Sequence, residues 1–286
     1  MSRDFIQYLE AKQTVDARAL NREVAEAMQR YARSCTDLRV LEIGAGHGAM
    51  IERFAKTGLL TNSSYTAIDP AAASIESARA RFDADGRIGK LRFEVADLYQ
   101  FAAATSESWD LVVAHAVLDL LDLERAIPVL RSLGTPGGGF YFTINFDGGT
   151  WFEPVIDPEL DPQIVALYHE TMDTRMVGGK RSGHSQTGRR LFGALSQHDA
   201  VIESVGSSDW VVWPKDGTYA GDEAYFLHFI VTTVESALAD SPKLEAGRLG
   251  DWSRERHAQI DRGKLVYAAH QLDFFGRWPT APSPRR

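Results

Sequence analysis

The chain has 286 residues, of which 44% are hydrophobic and 24% charged, and its formal net charge is −8. These values are typical of a folded globular protein, and the length accommodates one large α/β domain with additions. The acidic balance and the lack of a long Lys/Arg block make nucleic acid a poor candidate partner. Cys35 is the single cysteine, which excludes a disulfide framework and a cysteine-based metal site.

No targeting or membrane-spanning segment stands out in the sequence. Residues 1–5 lack the apolar core of a signal peptide, and no apolar run approaches the length that crosses a bilayer. Asp, Glu and His residues do not cluster at metal-ligand spacing. We therefore expect a cytoplasmic protein with no metal and no membrane partner, and the sequence leaves its oligomeric state open.

Residues 1–35 predict helices that precede the sheet. Thr14 can cap a helix in which apolar residues recur at helical spacing. Such a helix would cover the sheet as a packing element. The alternative is that Tyr8 or Arg18 reaches over a ligand bound at the sheet edge.

The first sheet unit is a strand, a glycine loop and a helix. An apolar run at 39–43 predicts a buried parallel strand, and Gly44, Gly46 and Gly48 follow it directly. Residues 49–56 then predict a helix. Glycine is needed in such a loop because a side chain would keep the backbone away from a ligand and disfavour positive φ. The arrangement is typical of a nucleotide-type cofactor site at the carboxyl edge of an α/β sheet.

Two cofactor classes use this kind of loop, and Glu42 distinguishes them. Residues 44–49 satisfy the relaxed dinucleotide fingerprint G-x-G-x-x-A. Glu42, however, would repel a pyrophosphate and would suit the cationic amino group of S-adenosylmethionine. With this acid before it, the G-x-G-x-G segment 44–48 resembles motif I of the class I S-adenosylmethionine-dependent methyltransferases. The resemblance implies that Glu42, Ala45 and the three glycines bind the cofactor.

The second predicted strand, residues 64–69, ends in Asp69, which Pro70 follows. Asp69 lies 25 positions after Gly44, near the interval expected for an acid that grips a ribose diol. A carboxylate accepts two hydrogen bonds and the diol offers two donors, so geometry and charge both match. Asp69 could equally cap the next helix, residues 71–82, and the two roles are compatible. We expect Asp69 and Pro70 to contact the cofactor.

The third predicted strand, residues 91–98, also finishes in an acid, Asp97. The family resemblance implies that Asp97 accepts a hydrogen bond from the adenine amino group, while the backbone amide of Leu98 faces the ring. An Asp that closes a strand is often only a turn residue, and that alternative stays open.

Residues 109–122 predict the fourth strand and the turn into a helix, and they resemble the fourth motif of the same family. The resemblance implies that His115 and Ala116 line the cofactor, in a loop below the sulfonium. His115 could instead be a neutral histidine satisfied by backbone groups. The loop lacks the Asn/Asp-Pro-Pro-Tyr/Phe signature of enzymes that methylate nucleic-acid bases or planar amides, which argues against those acceptors.

Strands and helices alternate through residues 36–146, which predicts parallel strands with right-handed crossovers. The fifth strand is expected at 140–145. The pattern then breaks, since residues 147–200 contain no strong strand signal. In the resembling family, an insertion after the fifth strand commonly forms the acceptor pocket or a lid.

The acceptor contacts are expected in or beside this insertion. Residues 178–190 mix glycine, cations and hydroxyls, as does a mobile loop that closes on a polar or anionic ligand, and a solvated surface loop is the alternative. His184 is the candidate general base, which methyl transfer needs only when the nucleophile must lose a proton. The candidate acceptor contacts are Asn145, Trp151, His169, Arg181, Ser185 and Arg189.

The rest of the chain is expected to close the sheet. Residues 209–214 predict the sixth strand and residues 264–273 an antiparallel final strand, with two helices between them. The predicted fold is therefore α/β, with a doubly wound, mostly parallel seven-stranded sheet of the Rossmann-like methyltransferase type. Its predicted parts are an N-terminal helical cap (1–35), the cofactor-binding core (36–146), a helical insertion or lid (147–200), the end of the sheet with inserted helices (201–276) and a tail (277–286).

The sequence thus predicts a methyltransferase that moves a methyl group from S-adenosylmethionine to a small molecule by direct in-line displacement. The acceptor would present an oxygen or nitrogen nucleophile, as many secondary metabolites do. Two rival hypotheses remain: an NAD(P)-dependent oxidoreductase, and a module that binds S-adenosylmethionine without turnover.

Overall fold

An eight-stranded mixed sheet flanked by helices organises the chain. The structure, a computed structural model, describes residues 3–83, 85–245 and 247–280. The strands are β1 (Arg39–Ile43), β2 (Ser64–Asp69), β3 (Lys90–Val95), β4 (Trp109–His115), β5 (Gly134–Glu153), β6 (Met176–Val177), β7 (Lys180–Arg181), β8 (Val201–Ser207), β9 (Trp210–Val212) and β10 (Val266–Arg277). The helices are α1 (Arg3–Ala11), α2 (Gln13–Ala19), α3 (Arg22–Ser34), α4 (Ala49–Lys56), α5 (Ala72–Phe82), α6 (Leu98–Ala104), α7 (Leu123–Leu133), α8 (Leu160–Asp173), α9 (Thr187–Ser196), α10 (Glu223–Leu238) and α11 (Arg248–Asp261).

The first five strands are parallel and stand in the order β3-β2-β1-β4-β5. The chain winds outward in one direction from β1 to β3 and in the other from β4 to β5. The strand order therefore reverses between β1 and β4, and ligands of open α/β sheets bind beyond the carboxyl ends of the strands at such a reversal. The predicted doubly wound, mostly parallel architecture is confirmed.

The far end of the sheet is antiparallel and holds one strand more than predicted. β10 lies between β5 and β8 and also pairs with β9. β8 was not predicted, because its residues alternate between exposed and half-buried and form no apolar run. The sixth strand predicted at 209–214 is the short β9. β10 continues to Arg277, where the tail was expected to begin, and Trp278 is buried; residues 281–286 of that tail lie outside the described residues.

β5 is much longer than predicted and carries the sheet into the insertion. It reaches Glu153 because β10 pairs with it over nearly its whole length. Residues 147–200 carry no strong strand signal, yet the end of β5, β6 and β7 all lie in this range, and in β5 Gly148 and Gly149 mask the strand character. The remainder of the insertion contains α8, the two-stranded β6–β7 hairpin and α9.

Three apolar clusters hold these layers together. One packs α3, α4 and α5 on one face of the parallel strands, and a second packs α6, α7 and α9 on the other face. The third joins α8, α10 and α11 to the long ends of β5 and β10 and includes Ala11 and Val15 from the N-terminal helices. None of the helices in the described part of the chain has both the length and the hydrophobicity that spanning a bilayer requires.

Candidate functional site

The carboxyl ends of β1 to β4 meet at one edge of the sheet. Ile43, the last residue of β1, pairs with Ile68 of β2 and Ala114 of β4. β2 and β3 stay in register to their ends. The glycine loop and the acids Asp69 and Asp97 therefore start from the same edge, as their positions after successive strands predict.

The glycine loop is held by packing at both ends and open in its middle. Gly44 has φ +66°, and a Cβ there would lie 2.8 Å from Val117 Cγ2. Gly48 has φ +89°, and a Cβ there would lie 2.6 Å from a ring carbon of Phe82. At Gly46, with φ +55°, the nearest atom to such a Cβ is Leu9 Cδ1 at 3.7 Å. Gly46 is thus the glycine of the three that leaves space beside the backbone.

Asp69 ties the glycine loop to the start of α5. Its carboxylate accepts hydrogen bonds from Gly46 N–H at 3.0 Å and Ala71 N–H at 2.8 Å. Burial raises the pKa of Asp69, and the two backbone bonds oppose that shift. Each oxygen keeps a second acceptor position, because a carboxylate offers about four in total. The N-cap of α5 is Ala71 and no described side chain caps that helix, so the capping role predicted for Asp69 is wrong, and its bond to Ala71 N–H closes the turn before the helix. The capacity to hold a diol remains, and Pro70 beside it is exposed.

Asp97 caps α6 with one of its two oxygens. Tyr99 N–H and Gln100 N–H both donate to Oδ1, each at 2.8 Å. Oδ2 is left to accept from another donor. The side chain of Leu98 is buried in the core, so its backbone is the part that can face a ligand.

Glu42 is a buried acid at the end of β1. Tyr65 O–H donates to its Oε2 at 2.7 Å. Burial raises the pKa of Glu42 to about 8, the neighbouring charge of Asp69 adds to the effect, and the bond from Tyr65 opposes it. A cation brought close to Glu42 would favour its charged form, whereas an anion would raise the pKa further and keep the acid neutral.

His115 connects the N-terminal helices to the sheet. Its Nδ1 lies 2.8 Å from Thr143 Oγ1, and its Nε2 lies 3.2 Å from Asp16 Oδ2. Asp16 also accepts from Trp210 Nε1 at 2.8 Å and lies 3.3 Å from Lys12 Nζ. Burial works against the charge on Asp16, yet Lys12 and His115 together hold its pKa at about 2. His115 is thus satisfied by side chains, and not by backbone groups as the alternative supposed.

A cavity of about 310 Å³ opens beside Ala116, in the loop that follows β4. Its wall combines α1, the loop after β4, β5, α8, α10 and β10. An enclosed, mostly apolar pocket with few polar groups suits a small organic molecule. Aromatic side chains dominate the wall: Tyr8, Phe146, Tyr168, Trp210, Phe229 and Tyr267.

A few polar groups interrupt this aromatic wall, chiefly Lys12, Asp119 and Arg175. Asp119 lies in the short 3₁₀ helix Leu118–Leu120. Its Oδ1 is buried, and among the described residues nothing donates a hydrogen bond to it. Burial raises the pKa of Asp119, while a hydrogen bond from its own backbone N–H to the carboxylate and the charges of Lys12 and Arg175 lower it.

The predicted acceptor contacts on β5 and α8 lie next to this cavity and not in its wall. Asn145 is buried and its amide donates to Leu272 O at 2.8 Å, on the side of β5 away from Phe146. His169 Nε2 lies 3.0 Å from Thr150 Oγ1, and Thr150 does line the cavity. Trp151 is half exposed, beside a second cavity of about 470 Å³ that His169 shares.

The predicted contacts after α8 are engaged with protein neighbours. Arg189 Nε lies 3.0 Å from Asp147 Oδ1. Ser185 N–H donates to Asp173 Oδ1 at 2.8 Å, and His184 Nδ1 lies 3.1 Å from the same oxygen. Arg181 is exposed in the β6–β7 hairpin.

The positions of the insertion residues do not test their predicted roles, which stay predictions. Burial, together with the charge of Arg190, lowers the pKa of His184. Its ring lies outside the wall of the aromatic cavity, so the structure gives the candidate base no contact there.

Of the cavity wall, the sequence singled out Tyr8, as a residue over the ligand, and Ala116, as a residue beside the cofactor, and it missed most of the rest. Asp119 lies inside the fourth motif, three positions before Asp122. Asp122 caps α7, since its carboxylate accepts a hydrogen bond from Glu124 N–H at 3.1 Å. A sequence alone cannot separate the capping acid from the acid that faces a cavity. Lys12 and Arg175 carry no local signal either, because their helices meet the cavity only through tertiary packing.

A groove of about 1090 Å³ lies at the opposite edge of the sheet. It is lined by Arg39, Ser64 and Lys90, which begin β1, β2 and β3. Ligands of parallel α/β sheets bind at the carboxyl edge. The groove is therefore not the candidate site.

The residues at the carboxyl edge suit an adenosyl cofactor better than a dinucleotide. Gly46 leaves room beside the loop, and Asp69 and Asp97 keep acceptor positions for hydroxyl and amino donors. Buried Glu42 disfavours a pyrophosphate and favours a cation. Among the described residues, no three His, Cys, Asp or Glu side chains group as a metal site.

A methyltransferase-domain family model matches residues 41–140. The match runs from β1 to the early part of β5. It therefore includes the glycine loop, both strand-end acids and the loop after β4.

Curated relatives share this part of the chain. Malonyl-[acyl-carrier protein] O-methyltransferase of Paenibacillus sp. is 32% identical over 160 residues, which is 53% of this chain and 53% of that protein. Highly reducing polyketide synthase 2 of Gibberella zeae is 36% identical over 113 residues, 35% of this chain and 4% of that protein. The chain thus spans about half, or far less, of the length of these relatives.

Solved structures share the fold at low sequence identity. An S-adenosylmethionine-dependent methyltransferase from Methanosarcina mazei has a TM-score of 0.50 and 16% identity over 89% of this chain and 98% of its own. The YcgJ protein of Bacillus subtilis has a TM-score of 0.51 and 16% identity over 91% of this chain and 100% of its own. The predicted Rossmann-like methyltransferase fold is confirmed.

Proposed function

We propose that the chain, whose residues 41–140 match a methyltransferase-domain family model, is a class I S-adenosylmethionine-dependent methyltransferase that methylates a small molecule. The observation that carries this proposal is the aromatic cavity of about 310 Å³ beside Ala116. Its volume falls at the lower end of the range of small-ligand pockets, roughly 300–1,000 Å³. It opens at the carboxyl edge of the sheet, where the glycine loop and the two strand-end acids also lie.

The cofactor would be held by the edge residues in separate roles. Asp69 binds the ribose diol, Asp97 and the backbone of Leu98 bind the adenine, and Glu42 faces the cationic amino group. The cofactor, when bound, supplies a methyl group already activated by positively charged sulfur. The protein then mainly has to align the reactants, and proximity of this kind contributes up to about 7–11 kcal/mol. The other proposed contacts are Gly44, Ala45, Gly46, Gly48, Pro70, His115 and Ala116.

The acceptor side of the proposal is the aromatic cavity together with the insertion at 147–200. Its aromatic wall favours a flat or apolar acceptor body, and its polar groups would orient the nucleophile. The Paenibacillus relative is named as an O-methyltransferase, which supports an oxygen nucleophile in the acceptor. A nitrogen nucleophile remains the alternative.

Titration calorimetry tests the cofactor class. We expect S-adenosylmethionine and S-adenosylhomocysteine to bind and NAD to give no heat of binding. The reverse result would establish a dinucleotide-dependent oxidoreductase.

A methyl-transfer screen against a library of small phenols, carboxylic acids and amines tests turnover. We expect methylation of at least one class. Tight cofactor binding with no methylated product would instead support a non-catalytic binding module.

We place this activity in the cytoplasm, as a chain with the single cysteine Cys35 suggests. We place it on free small molecules and not on nucleic acid, as the net charge of −8 suggests. Fractionation of cells that produce the protein tests the location, and recovery outside the cytoplasmic fraction would contradict it.

A further inference from the structure

Among the residues that the structure describes, Asp119 is the one acid in the wall of the aromatic cavity. Its carbonyl is used by the protein, since His184 N–H donates to it at 3.3 Å. Its carboxylate is different, because Oδ1 is buried and no described residue donates to it. Buried polar atoms are normally hydrogen-bonded, and an unpaired one lowers stability. An acid kept in this state points to a partner that the protein itself does not supply.

Asp119 shares the cavity wall with the groups whose charges it feels. Lys12, Arg175, Tyr8 and Tyr168 line the same cavity as Asp119. The charges of Lys12 and Arg175 favour the ionised form of Asp119, and its charge in turn raises the pKa of Tyr8 and Tyr168.

Lys12, the cation whose charge acts most strongly on Asp119, does not form an ion pair with it. Lys12 Nζ forms its ion pair with Asp16, 3.3 Å away, and its ammonium lies 5.4 Å from the centre of the Trp210 ring. Asp16 is held by three partners in all, while Asp119 Oδ1 has none among the described residues. The two acids thus differ: Asp16 is buried and held by protein partners, whereas Asp119 is half-buried in the cavity wall and its Oδ1 has no partner among the described residues.

We propose that Asp119 anchors the acceptor molecule, its carboxylate accepting a hydrogen bond from an O–H or N–H group carried on a small aromatic body. The aromatic wall binds the ring, and the acid selects molecules with a donor at the matching position. This inference rests on the proposed function and names the acceptor class for the same cavity. Burial, which raises the pKa of Asp119, also means that its hydrogen bonds are poorly screened by water.

Paired fragments test the donor requirement without any methyl transfer. Benzyl alcohol and toluene have similar aromatic bodies, but the first carries an O–H donor. Their dissociation constants would be measured by ligand-observed NMR on the full chain and on Asp119→Leu. We expect the preference for benzyl alcohol over toluene to fall about tenfold or more in the variant, since a hydrogen bond to a charged group is lost. An unchanged preference would overturn the proposal.

Thermal unfolding separates a ligand anchor from a structural acid. Because Oδ1 is unpaired, Asp119→Leu and Asp119→Asn are expected to melt at or above the wild-type temperature when no ligand is present. The control is Asp122→Leu, which removes the cap of α7 and should melt lower. A marked loss of stability in both Asp119 variants would show that the acid serves the fold.

Titration with S-adenosylhomocysteine keeps this proposal distinct from the proposed function. We expect Asp119→Leu to bind it as wild type does. If wild type itself fails to bind it, the proposed function fails, and the fragment preference still decides the role of Asp119. If only the Asp119 variant fails, the acid belongs to the cofactor site and the proposal is wrong.

Discussion

At the scale of single residues, Asp69 carries the most testable part of the cofactor site. Replacing it with Ala removes the acceptors of Gly46 N–H and Ala71 N–H as well as the proposed ribose contact. We expect Asp69→Ala to weaken S-adenosylhomocysteine binding by at least about tenfold, as the loss of a charged hydrogen-bond partner does. Titration calorimetry measures this directly.

A matched control comes from the connection that follows α5. Asp85 pairs with Arg87 at 2.5 Å near the surface, so Asp85→Ala changes a carboxylate away from the edge of strand ends. It should bind the cofactor product like wild type. Equal affinity in the Asp69 and Asp85 variants would remove Asp69 from the site.

Glu42 should make the stability of the protein depend on pH. Its pKa is about 8 in the folded protein, against an ordinary value of 4.5. Between these values the folded state holds the proton that the unfolded chain releases, so the free energy of unfolding falls as pH rises. Glu42→Gln stays neutral throughout and should unfold with a flatter pH dependence.

Urea denaturation of wild type and Glu42→Gln at pH values between about 5 and 8 measures this difference. The exposed residue Glu10 gives the control, because Glu10→Gln should leave the pH dependence as in wild type. Parallel profiles for wild type and Glu42→Gln would show that Glu42 ionises as an ordinary exposed acid does.

At the scale of elements, the segment between α8 and α9 docks on the turn that holds Asp119. Ser182 Oγ donates to Leu120 O at 2.6 Å, and a Cβ on Gly183 would lie 2.5 Å from Asp119 O. Gly183 has φ +89°, so Gly183→Ala combines backbone strain with a clash. We expect it to loosen the segment and to speed tryptic cleavage after Lys180 and Arg181 several-fold.

Gly179 provides the comparison within the same segment. Its φ is +75°, yet no atom lies within 4 Å of the position that its Cβ would take. Gly179→Ala therefore carries strain without the clash and should be cleaved more slowly than Gly183→Ala. Equal cleavage rates in the two variants would show that contact with Asp119 does not hold the segment.

At the scale of the whole molecule, the parallel half of the sheet was predictable because its signals are local. Each of β1 to β4 is a short run that ends in a glycine loop, an acid or a turn, and consecutive strands bring those ends to one edge. The predicted cofactor contacts lie at that edge for this reason.

The acceptor cavity was not predictable in the same way. Tyr8, Asp119, Tyr168 and Tyr267 come from four distant parts of the chain and meet only when α1, α8 and β10 pack together. β8 escaped prediction because an edge strand that is half exposed needs no apolar run. Local sequence patterns thus predicted the residues of the proposed cofactor site. The residues of the proposed acceptor cavity come together only through tertiary packing.

The end of the described chain should contribute strongly to global stability through Trp278. The side chain is buried and its ring centre lies 4.8 Å from that of Phe140, while the backbone N–H of Trp278 donates to Gly138 O at 2.9 Å. We expect Trp278→Ala to lower the free energy of unfolding by about 3–5 kcal/mol, as large-to-small core substitutions do. Urea denaturation followed by circular dichroism measures the loss.

Two further variants show whether the buried ring is the cause. Trp213 is 49% exposed, so Trp213→Ala should cost less than about 1 kcal/mol. Trp278→Phe keeps an aromatic ring and removes Nε1, which has no acceptor among the described residues, so it should retain most of the stability. If Trp278→Ala and Trp213→Ala lower the free energy of unfolding equally, the buried ring of Trp278 does not stabilise β10.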